Sequence, residues 1–496
     1  MVEAGSLREN IPGTSLDATA VTVGELGQAL AAGQLTSAAL TDFYLRRIER
    51  LNPGLRAVIE VSPSAAADSA ASDSERARAN GAPARPLAGI PVIIKDNIAV
   101  DGQPATAGSP ALSHSGTGDA CLVSRLREAG AIVLGKANLS EWANFRSNRS
   151  SSGWSTLGGQ AVNPYGNGRN PSGSSSGSAV AVAAGLAPIA VGTETDGSIL
   201  SPASACGLVG IKPTLGLVSR AGIVPISPEQ DTAGPMARSV ADAVALLDVL
   251  AAPDSADEAT TRAPAPPDSL GALLAAGALD GCRIGIWRDG ASAANPATLA
   301  VLDAAVARLR ASGTQLTDPV ELPGLEGLAG PEFGALLHEF KHYLNAYLAA
   351  TPGDHPATLA DLIAYNSRNA ATVLPHFGQE LFEAAEATSG DLADADYLAA
   401  RSGARTLATT ALDTALQGSQ LDAVVTLSGS PAWLIDHVLG DHHIFGTSSP
   451  AAVAGYPSIT VPAGAVAGLP VGLTFIGPAW SEPRLFALAY AFEQSA

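Results

Sequence analysis

The 496-residue sequence predicts an α/β fold, a single large domain built on a covered β-sheet. Short apolar runs of strand length alternate along the chain with segments whose apolar residues recur at helical spacing. Apolar residues make up 46% of the chain and charged residues only 15%, ample for one extensive core. Strand-like segments lie on both sides of the one linker-like stretch, so a single sheet needs both halves.

Val21, Leu26, Leu30, Leu40, Phe43, Tyr44 and Ile48 follow one helical face, which predicts a helix over 21–50 stopped by Asn52-Pro53-Gly54. A strand over 57–61, a polar helix over 65–78 and an apolar strand over 89–94 come next. Residues 131–134 read as a buried strand and 139–145 as the start of a helix. Segment 147–178 is a loop rich in glycine, serine and asparagine, and 179–184 is helix-compatible. The run PDSADEATTRAPAPPDSL at 253–270 reads as a surface linker or insertion within one domain spanning 1–496. Beyond it lie a strand (282–287), a helix (298–311), helical segments to about 418, strands at 421–427 and 458–461, and a closing helix over 482–493. No internal repeat is present.

The formal charge of −19 repels phosphate backbones, so nucleic acid is not an expected partner. No apolar run reaches the roughly 18 residues of a membrane span. The longest, AVAVAAGLAPIAV, is broken by Gly185 and Pro188. The N-terminus lacks the basic and apolar regions of a leader, so the expected location is cytoplasmic, or exported if a leader has been removed. Cys121, Cys206 and Cys282 form neither a disulfide framework nor a CxxC metal site.

The chemistry concentrates in two places. PVIIKDN puts Lys95 at the end of an apolar strand, and only four of the 28 basic residues are lysines. Downstream, SGSSSGSAVAVAAGLAPIAVGTETDGSILSP holds two serine sites, Ser174–Ser178 and Ser198. Ser198 follows Gly192-Thr193-Glu194-Thr195-Asp196-Gly197, read as a turn whose main-chain N–H groups converge on an oxyanion. Lys95 serves as base only when neutral, which requires a fall of roughly 3 pKa units, about 4 kcal/mol, from its solution value. Burial supplies such a fall. A hydroxyl from the Ser174–Ser176 cluster would relay the proton to Lys95. The alternatives are a flexible serine-glycine linker and a solvated lysine at a strand end.

From Gly158 to Pro235 the sequence resembles the amidase signature family, with its G-G-S-S-G-G-S loop and G-T-D-x-G-G-S turn. PLAGIPVIIKDN, GAIVLGKANLSEWANF, CGLVGIKPTLGLVSRAGIVP, QDTAGPMARSVADA and YPSITVPAG…GLPVGLTFIGPAW extend the likeness over nearly the whole chain. The resemblance implies a mixed central sheet covered by helices on both faces and a Ser-Ser-Lys triad needing no cofactor or metal. Lys95 matches the base, Ser174 the bridging serine, whose peptide is cis in the family, and Ser198 the acylated nucleophile. The main-chain amides of Thr195, Asp196, Gly197 and Ser198 match the oxyanion hole. Glu194 stands where the family usually has aspartate, Asp196 where it has glycine, and Leu200 where many members carry arginine or glutamine. SGSSSGS and ETDGS resemble the peptide amidase branch, which removes ammonia from C-terminally amidated peptides. The substrate is then a peptide amide or another small amide, with no obligatory protein partner. Trp142, Trp154 and segment 425–447 are candidate pocket walls.

Other readings compete. A small-molecule amidase or a partner-dependent glutamine amidotransferase subunit would use the same site, and an amide-binding relative without catalysis would leave it idle. His338-Glu339-Phe340-Lys341-His342 matches HExxH, which on a helix can hold zinc, with His355 or Glu380 as a third ligand. The alternative there is an ordinary amphipathic helix. Gly173–Gly177 fits GxSxG without a preceding strand, and Gly130–Lys136 nearly fits a P-loop but runs into Ala137. His437, His442 and His443 read as a solvated or pocket-lining loop.

Overall fold

Burial on both faces marks the strands at the centre of the molecule. The computed structural model describes residues 7–78, 85–116, 118–265, 267 and 269–495. Its strands in chain order are β1 (Val58–Val61), β2 (Pro91–Lys95), β3 (Ile132–Ala137), β4 (Trp154–Ser155), β5 (Gly159–Gln160), β6 (Ile189–Glu194) and β7 (Val209–Lys212). There follow β8 (Thr232–Ala237), β9 (Arg283–Ile286), β10 (Gln315–Thr317), β11 (Ala423–Leu427), β12 (Ser458–Val466) and β13 (Leu469–Ile476). Eleven of them form one mixed sheet in the order β1-β3-β2-β6-β8-β7-β12-β13-β11-β9-β10, and β4 and β5 pair separately.

Every residue of β2, β3, β6, β8, β11 and β13 is buried. Successive side chains point to opposite faces, so both faces of the sheet are covered. β2 runs parallel to β3 and β6, whereas β6 pairs antiparallel with β8. The carboxyl ends of β2 and β6 therefore open side by side, the position where α/β sheets place ligands. Helix Ser176–Ala183 packs on β2, β3 and β6. A Cβ on its Gly177 would fall 2.3 Å from the Ala57 carbonyl oxygen and 2.4 Å from that of Asn138. Only glycine permits that approach.

Several local expectations are corrected. Residues 21–50 form two helices, Val23–Ala31 and Ser37–Leu55, divided at Gly33 and each started by a threonine cap. Pro53 does not stop the second, which continues to Leu55 before Arg56 turns left-handed. Asn52 instead closes the end, its Oδ1 accepting from the Ala57 and Val58 N–H groups. Residues 139–145 form only a single tight turn, Glu141–Asn144, because Trp142, Ala143 and Asn144 are left-handed. Gly192–Glu194 ends strand β6 rather than belonging to a turn. Strands β4 to β8, β10 and β13 have no counterpart in the sequence reading, since short runs such as IAVGTE carry no periodicity that separates strand from helix.

In stretch 253–270, Pro266 and Asp268 lie outside the described residues. Helix Glu258–Arg262 forms within it. Asp257 binds Arg220 there, with its Oδ2 accepting from the Arg220 main-chain N–H at 2.8 Å and from Nε at 2.7 Å. Among the described residues no helix is long and apolar enough to cross a membrane.

Candidate active site

β2 delivers Lys95 to the middle of the protein, where it is fully buried. Burial pushes its amine down to about 7, opposed by the charges of Glu194 and Asp231. The amine lies 2.8 Å from Ser174 Oγ, 2.8 Å from Thr193 Oγ1 and 3.2 Å from the Thr193 carbonyl oxygen. A neutral amine has two donors and one lone pair. Donating to the two Thr193 oxygens leaves that lone pair for the Ser174 hydroxyl. Asn97 Nδ2 also donates to Thr193 Oγ1, at 3.0 Å, and so holds the threonine in place.

The other serines of the cluster are occupied. Ser175 Oγ donates to the Thr193 carbonyl at 3.0 Å, Ser176 Oγ to that of Ser172 at 2.6 Å, and Ser178 Oγ to that of Val191 at 3.1 Å. Only Ser174 contacts the lysine, and it follows Gly173 through a cis peptide.

A main-chain bond, Ser175 N–H to the Ser198 carbonyl at 3.1 Å, ties Ser198 to the residue that follows Ser174. It retains 8% exposure, whereas Lys95 and Ser174 have none. Glu194 shapes the segment after it, with Oε2 accepting from the Ile199 and Leu200 N–H groups at 2.7 and 3.0 Å. Burial raises the Glu194 carboxyl above its ordinary range. Gly197 is left-handed (φ +77°), and a Cβ there would lie 2.8 Å from Ser448 Oγ. Among the described residues, no hydrogen bond uses the main-chain N–H of Asp196, Gly197 or Ser198. Three amides on one tight turn are therefore free to donate.

Thr195 donates its hydroxyl to Asp231 Oδ1 at 2.6 Å. Asp231 Oδ2 accepts from the Ile226 and Ser227 N–H groups, and burial lifts this carboxyl to about 6. The Asp196 carboxylate is tied to two hydroxyls, those of Ser448 and Ser449.

A cleft of about 440 Å³ opens over the turn, reached by Gly173, Asp196 and Gly197 from the site side. Trp433, Asp441, His443 and Leu381 line it with several serines, and among the described residues no lysine or arginine does. Part of segment 425–447 thus forms the wall, but the two proposed tryptophans do not. Trp142 is buried edge-on against Phe382, and Trp154 is buried against His376 and Phe377. The left-handed Trp142 backbone turns that ring into the core.

The HEFKH residues are also engaged elsewhere. Glu339 accepts from Arg401 Nε at 2.7 Å and from the Tyr397 hydroxyl at 2.9 Å. His338 lies against Tyr397, and His342 Nδ1 sits 3.0 Å from the Gly390 carbonyl. His355 contacts carbonyls of its own loop, and Glu380 accepts from Ser147 Oγ. His437 bonds Gln160 and His442 pairs with Asp436. Sequence reasoning does not reach Asn97, Asp231 or the serine pair 448–449, nor the contact of Thr193 with the lysine. Asn97, two residues after Lys95 in KDN, was the one with a local signal.

A covered α/β sheet thus presents a buried lysine–serine pair beside an open main-chain turn. The family profile described as Amidase matches residues 39–486. A probable amidase of Arabidopsis thaliana is 43% identical over 472 residues, covering 93% of this chain and 87% of the relative. The native peptide amidase of Stenotrophomonas maltophilia superimposes with a TM-score of 0.90 at 48% identity, covering 98% of each chain. A glutamyl-tRNA(Gln) amidotransferase subunit from a Synechococcus strain is 35% identical, over 96% of this chain and 97% of its own. The chain belongs to the amidase family.

Proposed function

We propose that this protein is a serine amidohydrolase that releases ammonia from the C-terminal carboxamides of peptides. Lys95 in its neutral form, which burial makes accessible by holding the amine at about 7, takes the Ser174 proton, Ser174 takes that of Ser198, and Ser198 Oγ attacks the carboxamide carbon. The amides of Thr195, Asp196, Gly197 and Ser198 receive the oxyanion. The proton returns through Ser174 to the leaving nitrogen, ammonia departs, and water hydrolyses the acyl-enzyme by the same route. The observation that carries this reading is the fully buried Lys95 amine 2.8 Å from Ser174 Oγ.

The choice of substrate rests on the cleft and on the 48% identity to a peptide amidase. The cleft wall offers Trp433 and Leu381 to side chains and serines to a peptide backbone. Free glutamine, by contrast, brings an α-carboxylate that finds Asp196 and Asp441 there and, among the described residues, no cationic side chain. The test is ammonia release from a short C-terminally amidated peptide in the presence of EDTA, with the product mass read alongside. Ammonia with a mass gain of about one dalton and an intact backbone is the expected result. Internal fragments would refute it, as would turnover confined to free glutamine or to non-peptide amides.

A further inference from the structure

The HEFKH glutamate leads away from zinc chemistry and toward the catalytic turn. Glu339, fully buried, holds Arg401 through Nε and Nη2, a forked pairing that fixes the guanidinium plane. From that fixed position Arg401 donates through Nη1 to Gln230 Oε1 at 2.7 Å and through Nη2 to Ser227 Oγ at 3.3 Å. With its oxygen so engaged, the Gln230 amide has one orientation. Its Nε2 donates to Glu332 Oε1 at 2.9 Å and points to the Thr195 carbonyl at 3.4 Å. The neighbouring Asp231 takes the Thr195 hydroxyl at 2.6 Å. Residues 227–231 thus grip Thr195, the first residue of the oxyanion turn, from both its carbonyl and its side chain.

We propose that Gln230 and Arg401 are positioning residues for the oxyanion hole, with Glu339 as the fixed end of the chain Glu339–Arg401–Gln230–Thr195. The inference rests on the catalytic role given above to the Ser198 turn. Three sequence-distant elements meet here: helix Ala329–Ala350, helix Ala395–Gly418 and the loop before β8. Ser227, Gln230 and Glu339 are each at most 1% exposed and Arg401 is 8% exposed. In such surroundings a satisfied polar chain is stiff, and breaking one link lets the next reorient. The donors of an oxyanion hole work by being set in advance, so a small displacement of Thr195 weakens binding of the transition state more than that of the substrate.

The test compares full-length wild type, Gln230→Met, Glu339→Gln and the double variant on a peptide amide, together with inhibition by a peptide aldehyde. The aldehyde adds to a nucleophilic serine and places its oxygen in the oxyanion hole. Gln230→Met is expected to lower kcat about tenfold or more with KM within about twofold. Aldehyde affinity should fall by the same factor as kcat. Glu339→Gln should lower kcat in the same way, and the double variant should be no slower than the slower single one, as members of one chain require. If Glu339→Gln does not fold, Gln230→Met with the aldehyde decides alone. An unchanged kcat, a loss confined to KM, an aldehyde affinity that does not follow kcat, or multiplying losses in the double variant would overturn the proposal. Absence of turnover by the wild type on every peptide amide would instead refute the substrate reading.

Discussion

Lys95→Met exchanges a buried amine for an uncharged side chain of similar length, and its effect on stability depends on pH. Burial holds Lys95 at about 7 in the folded protein against an ordinary 10.5. Above 10.5 the amine is neutral in both folded and unfolded chains. Between 10.5 and about 7 the unfolded chain binds a proton that the folded one refuses, so stability falls as pH falls. Below about 7 both are protonated and the penalty is constant. At 1.36 kcal/mol per unit, the penalty is about 4 kcal/mol at pH 7 and about 1.5 kcal/mol at pH 9.5. The methionine variant escapes it. Its unfolding free energy relative to wild type should therefore be higher at pH 7 than at pH 9.5 by about 3 kcal/mol. The lost contacts to Ser174 and Thr193 weigh on the variant at both pH values and cancel from that comparison. Urea unfolding of both proteins at the two pH values reads the difference directly. A value below about 1.4 kcal/mol, equivalent to one pKa unit, would mean that Lys95 keeps its proton at neutral pH and is not the base.

The same titration should govern activity: kcat/KM rises with unit slope to about pH 7 and then levels, because neutral Lys95 is the active form. Asp231→Asn removes a charge that holds the lysine's pKa up, so a pH–rate profile of that variant should show the rising limb at lower pH. An unmoved limb would contradict the coupling. Ser198→Ala should cost at least about 10⁴-fold in kcat while peptide amide binding persists by calorimetry, and near-normal turnover would sink the assignment. Gly197→Ala forces a side chain onto a left-handed residue and toward Ser448 Oγ. Steady-state kinetics should show kcat down by about 10²-fold with little change in KM.

Much of the site was legible because its signals are local. PVIIK announces a buried strand ending in lysine, and the structure ends β2 at Lys95. GTETDGS announces a backbone turn that needs glycine, and Gly197 is left-handed there. Where local signals were weak the reading failed. SEWANF has helical composition, but three consecutive left-handed residues break it, and Arg146 inside the core pairs with Glu141 to hold the turn. IAVGTE reads as part of one small-residue run, yet it pairs on both sides in the sheet, with β2 and β8.

The covered α/β class, a lysine ending a buried strand and a glycine turn before Ser198 are legible in the sequence, since each is signalled by neighbours a few residues apart. Tertiary structure gives the physical reason why Ser174, already singled out by the family resemblance, meets the lysine: Ser175, Ser176 and Ser178 bond instead to the carbonyls of Thr193, Ser172 and Val191. It also decided the cleft wall and the fate of HEFKH, whose glutamate meets an arginine 62 residues away. Such pairings are set by how helices pack across the sheet, and no periodicity or spacing along the chain encodes which distant partner arrives.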